Sequence, residues 1–131
     1  MAKQLSAQEA VIEAKRYVSN AKEILREKGA KEDGHYRDAK YVKMAGHTAY
    51  TGVLFLLDHY FGKKAKGRKD VDWYKINLSK EDRKILDSFE TVYEQLHLVM
   101  AYDGAGNADM VKIGFREAER IIDWVETRTA A

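Results

Sequence analysis

No proline occurs anywhere in the 131 residues. At average usage a chain of this length would carry about six. Proline removes a backbone donor and clashes with the preceding helical turn, so its absence leaves every position open to helix. Glycine punctuates the chain instead. Gly29, Gly34, Gly62, Gly67, Gly104 and Gly106 fall between segments of apolar periodicity, and Gly46, Gly52 and Gly114 fall inside them. The chain therefore reads as one all-α domain over residues 1–131.

Four helices are expected. The first spans 6–28, opened by Ser6 with Glu9 at capping-box spacing. Its apolar face is Ala14, Tyr17, Val18, Ala21, Ile24 and Leu25, and Gly29 stands where a left-handed cap is wanted. The second spans 35–61. Its half from Thr48 to Leu57 carries no charge, so neighbours must cover it on several sides, within a bundle or across a dimer contact. Gly46, Ala49 and Gly52 recur every three residues, and each Gly costs about 1 kcal/mol of helix propensity. Close approach of another helix compensates. Residues 63–78 read as one long connection whose aromatic part, with Trp73 and Tyr74, docks on the bundle. The third helix spans 79–102, started by Ser79 with Asp82, and the fourth spans 108–127. Four such helices form an antiparallel up-and-down bundle.

Composition removes whole classes of function. Cysteine is zero, which excludes disulfides, zinc–thiolate sites and a cysteine nucleophile. No apolar run approaches the roughly 20 residues of a membrane span, and Met1–Ala10 lacks a signal-peptide pattern, so a cytoplasmic location without membrane contact is expected. Of the 23 basic residues, five (Lys63, Lys64, Lys66, Arg68 and Lys69) fall within Gly62–Lys69; the other 18 face 21 acidic ones. The body is slightly acidic with one basic loop, unlike the broad positive face of a dedicated nucleic-acid binder. That loop could give weak, salt-sensitive RNA contact, or be a solvated tip. No aromatic alternates with its lysines as a stacking platform would need.

Two polar features carry chemistry. Glu94-x-x-His97 has the spacing used in di-iron bundles, but those need two such pairs and further glutamates. With one pair only, no metal site is expected, and an ion pair on the helix face or a half-buried His explains it. Lys40, Lys43, His47 and Tyr50 form a polar strip on the second helix. It could line a small pocket facing His97 across the bundle, or be the border where long side chains reach solvent. Tyr102-Asp103-Gly104 reads as a turn ahead of the fourth helix. No nucleophile elbow or phosphate-binding glycine loop is present.

The segment Ala45-Gly46-His47-Thr48-Ala49-Tyr50-Thr51-Gly52-Val53-Leu54-Phe55-Leu56-Leu57 resembles the second helix of HEPN-like bundles. Tyr93-Glu94-Gln95-Leu96-His97-Leu98 and Tyr102-Asp103-Gly104 resemble a family of small bacterial proteins of unknown function, over nearly the whole chain. The HEPN resemblance implies a four-helix up-and-down domain, commonly dimeric, many of whose members are RNases or toxins. The nuclease members carry an Arg, four to six residues, then a His, often with a Tyr two residues later. Placing Tyr102 on that Tyr puts Met100 at the His and Gln95 at the Arg. Neither can hold a phosphate or move a proton.

The resulting expectation is a non-catalytic helical binding or interaction module, a homodimer, without cofactor or metal. Its candidate ligand-binding residues are Lys43, His47, Tyr50, Glu94, His97 and Tyr102, and its candidate partners are another protein or RNA. The alternative is a divergent HEPN-type RNase or toxin–antitoxin component acting on RNA.

Overall fold

Ser6 starts the first helix as its spacing demands. The Glu9 amide donates to Ser6 Oγ at 3.1 Å, and the Ser6 amide donates to Glu9 Oε1 at 2.9 Å. In the computed structural model, which describes residues 5–62 and 69–130, helix α1 runs Ala7–Lys28. Its buried stripe is Ala10, Val11, Ala14, Val18, Ala21 and Leu25. Gly29 does not take the left-handed cap. It is right-handed at φ −71°, and Ala30 at φ 54° makes the turn.

The second helix starts later than expected, because a hairpin precedes it. Lys31–Glu32 (β1) and His35–Tyr36 (β2) pair antiparallel, Lys31 opposite Tyr36 and Glu32 opposite His35. The two residues between them, Asp33 at φ 49° and Gly34 at φ 75°, both have positive φ. Two positive values in succession are what a two-residue hairpin turn needs. Helix α2 therefore begins at Ala39, not His35, and runs to Phe61.

The expected connection 63–78 is also corrected. Asp70 Oδ1 accepts from the Trp73 amide at 2.9 Å and caps helix α3, Val71–Glu81. Ser79 lies inside α3, its hydroxyl donating to the Ile76 carbonyl at 2.7 Å, and so does not start the next helix. Asp82 does. Its carboxylate accepts from the Lys84 and Ile85 amides, and helix α4 runs Arg83–Val92.

Helix α4 passes directly into a π-helical segment, Tyr93–Tyr102. Its i→i+5 pattern closes with the Asp103 amide donating to the Leu98 carbonyl at 3.0 Å. A π run of ten residues is far longer than the single-turn bulges in which this geometry is ordinarily found. Helix α5, Ala108–Thr129, is capped by Asn107, whose Oδ1 accepts from the Met110 amide at 3.1 Å. The hairpin is stitched to its start: the Tyr36 amide donates to the Gly106 carbonyl and the Ala108 amide to the Gly34 carbonyl.

The described residues thus form an all-α structure of five α-helices, one π segment and a small two-strand hairpin. The four-helix tally missed α3 and the hairpin. Helix α2 lies between α1 and the π segment, and α5 packs on α1, α2, α4 and the π segment. The core holds Val42, Val53 and Leu56 of α2, Phe89 and Val92 of α4, Leu96 and Met100 of the π segment, and Ile121 and Ile122 of α5. The small residues of α2 are spent on these contacts. A Cβ on Gly46 would meet the π segment, and one on Gly52 would meet Tyr17 of α1. The close approach anticipated from their spacing is therefore made within the chain.

Candidate functional site

The π segment and α2 together place most of the candidate residues. Antiparallel packing sets Tyr50 against His97, with ring centroids 4.7 Å apart and planes 26° from parallel. Tyr93 packs on the same imidazole at 5.3 Å, and Lys75 of α3 lies 5.5 Å over the Tyr93 ring. One turn along, a surface groove of about 360 Å³ is lined by Lys43, Met44, His47, His97, Ala101 and Tyr102. Of the strip on α2, Lys43 and His47 share this groove with His97 and Tyr50 stacks on the His97 ring, whereas Lys40 lies over Tyr41. Tyr50 stands behind the groove, 8% exposed, and Tyr102 stands out at its rim, 76% exposed.

Glu94 is not brought in. Its i,i+3 spacing to His97 places the two side chains one turn apart only in an α-helix. At about 4.4 residues per π turn three residues fall well short of a turn, so Glu94 faces solvent while His97 turns to Tyr50. Among the described residues no three His, Asp or Glu side chains converge on a metal position. Of the basic cluster, Lys63, Lys64, Lys66 and Arg68 lie outside the described residues. Lys69 is committed to packing: it pairs with Asp58 at 3.4 Å and lies 4.9 Å over the Trp73 ring.

Two buried phenols flank this region. Burial, with Tyr93 nearby, raises the Tyr50 pKa above its ordinary 10.0. Burial does the same to Tyr74, whose hydroxyl also donates to Asp58 Oδ1 at 2.5 Å. In the unfolded chain both phenols titrate near 10. Their neutral forms therefore support the fold fully below about pH 10, and that support is lost as pH rises from there toward the higher folded values. Urea midpoints are expected to fall between about pH 9 and pH 11, and to fall less in Tyr50→Phe and Tyr74→Phe. An equal fall in both variants would show that other groups carry the alkaline loss.

A larger groove of about 760 Å³, not anticipated, lies between the end of α1, the hairpin and the start of α5. Lys22, Lys31, Lys112, Arg116 and Arg120 line it together with Asp109, Glu119 and Asp123. Lys112, Arg116 and Arg120 recur every four residues, which was its legible signal. Part of this charge is paired: Lys22 with Glu119 across the groove at 2.6 Å, and both arginines with a single carboxylate outside the lining, Glu117, at 3.8 and 3.6 Å.

A family model described as a domain of unknown function (DUF5618) matches residues 9–127. No curated protein matches the chain. Among solved structures, a protein of unknown function from Dyadobacter fermentans is 77% identical, with a TM-score of 0.93, over 95% of this chain and 99% of that one.

Proposed function

The chain belongs to the DUF5618 family, and on that premise we propose that it is a non-catalytic interaction module that works as a homodimer. The domain is single, and α1, α2, α4 with its π extension, and α5 are read as a HEPN-like up-and-down bundle to which α3 is added. One observation carries the proposal. Met44 and Tyr102 line the α2/π groove at 46% and 76% exposure, and exposed apolar side chains brought together mark contact surfaces. Acid–base chemistry has less support. The His97 ring is held by packing on Tyr50 and Tyr93, whereas catalytic imidazoles are often oriented by a hydrogen bond to a carboxylate or a backbone carbonyl.

A second reading rests on a different observation: two imidazoles and Lys43 share one groove, a set that could move protons and hold a phosphate during RNA cleavage. Incubation with total RNA separates the two. The expected result is intact RNA with the parent chain, His47→Ala and His97→Ala alike. Cleavage by the parent that disappears in either variant would replace the interaction module with a divergent RNase.

A further inference from the structure

The groove of about 760 Å³ between α1, the hairpin and α5 has the size that ligand sites have. Its charge is ordered. Asp109, Lys112, Arg116, Arg120 and Asp123 all line it and are all exposed. They follow one another along one ridge of α5 at spacings of three, four, four and three residues, so the ridge reads acidic, basic, basic, basic, acidic. On the other walls, Lys22 of α1 and Lys31 of the hairpin each stand 6.0 Å from an aromatic ring of the lining, Phe115 and Tyr36. Leu25, Val111 and Phe115, all buried, make an apolar floor. The fold makes little use of the central cations. Both guanidiniums stand beyond hydrogen-bond reach of Glu117, at 3.8 and 3.6 Å, and that side chain already accepts from the Ser88 hydroxyl at 2.8 Å. The Lys22–Glu119 pair is half exposed on both sides, and such pairs are easily exchanged for others.

We propose that this groove holds an extended acidic segment of a partner protein, with carboxylates at alternate positions and a basic residue toward each end. This rests on the interaction-module reading and gives it a second surface and a partner chemistry. Residues four apart on a helix rise about 6 Å, and side chains on one face of an extended chain recur about every 6.6 Å. Three carboxylates on one face of such a segment therefore come over Lys112, Arg116 and Arg120 in turn. The planar guanidiniums can take theirs through two parallel hydrogen bonds. Basic side chains beyond the three then meet Asp109 and Asp123. A nucleic-acid strand has no positive group to offer those aspartates, so its phosphates are repelled at both ends of the ridge. A small anion would reach only part of the row. The order of charge along the ridge thus selects a peptide of mixed sign over a uniform polyanion.

The test uses the full chain and two variants, Arg116→Gln with Arg120→Gln, and Asp109→Asn with Asp123→Asn. All four positions are exposed, and far-UV circular dichroism checks that both variants fold. The probe is a fluorescein-labelled peptide of three aspartates alternating with serines, with a lysine at each end; a second peptide has serines in place of the lysines. Fluorescence anisotropy at low salt is expected to show the parent binding the lysine-ended peptide more tightly than the serine-ended one. The arginine variant should bind it about tenfold or more weakly. The aspartate variant should lose the preference for lysine ends. A uridine oligonucleotide of similar length should displace the peptide poorly. No binding of either peptide by the parent, with RNA left intact in the cleavage test, would overturn this surface and leave the interaction-module reading standing. Binding unchanged in the arginine variant would place the peptide elsewhere and overturn the groove as its site. A preference for lysine ends that is missing in the parent, or kept in the aspartate variant, would overturn the register. Displacement by the oligonucleotide at equal concentration would replace the peptide with a nucleic acid.

Discussion

Gly46→Ala is expected to lower the free energy of unfolding by about 2 kcal/mol, and Gly46→Val to prevent stable folding. A Cβ at residue 46 would stand 2.6 Å from the Leu96 carbonyl oxygen, 2.6 Å from Met100 Cβ and 2.8 Å from the Ala101 amide nitrogen. Two of these atoms are backbone and the third is fixed to it, so no rotamer change gives way. Overpacking of this kind costs about 3 kcal/mol, and the gain in helix propensity on replacing Gly by Ala offsets about 1 kcal/mol. The strain falls on the π segment itself, since all three contacts belong to it. Urea unfolding measures the change. A midpoint equal to or above that of the parent would show that α2 and the π segment do not approach as closely as these distances require.

Phe89→Ala is expected to cost more, about 3–5 kcal/mol, the range for deleting a buried aromatic ring. Phe89 is fully buried on α4. Its ring packs 5.8 Å from that of Tyr74, and Tyr74 with Leu78 is the buried face by which α3 is held. The cavity therefore opens under α3 as well as in the core. Beyond the fall in the urea midpoint, Trp73 should lose its fixed surroundings, because it meets Tyr74 edge-on at 5.0 Å on the same short helix. Fluorescence in a Trp124→Phe background isolates that signal. A loss below about 1 kcal/mol would mean that the site collapses onto its neighbours.

The long helices were legible because they obey simple periodicity and carry explicit caps. Ser6 with Glu9 and the turn before Ala108 placed two helix starts to within a residue of where they stand. The hairpin was also written in the sequence. Asp33-Gly34 is a two-residue turn signal, and it outweighs a helix start at His35. Helix α3 was hidden by its surroundings: the basic run ahead of it reads as loop, and its amphipathic face is only two buried residues wide, Tyr74 and Leu78. Asp70 before Trp73 was a usable cap signal.

The site was legible in part for the same reason. His47, Tyr50 and His97 meet because apolar neighbours on both helices fix their register. Glu94 does not join them, because its placement relied on α geometry where the backbone is wound more widely. Local propensity does not distinguish the two windings. The π segment is set by its fit against Gly46 on one side and Gly114 on the other, where Gln95 and Leu96 press on α5. That fit is tertiary, and no spacing within Tyr93–Tyr102 announces it.

The π segment can also be seen as a change of phase. Each π residue advances around the axis by about 80°, against about 100° in an α-helix. Over the ten residues from Tyr93 to Tyr102 the lag grows to about half a revolution. The same residues wound as α would send the chain out on the opposite side of the helix. Gly106 and Asn107 would then leave on the side away from the hairpin that now receives them at Tyr36 and His35. The winding of one segment thus steers the last helix to its berth, and a chain shortened by one residue there would have to find another way round.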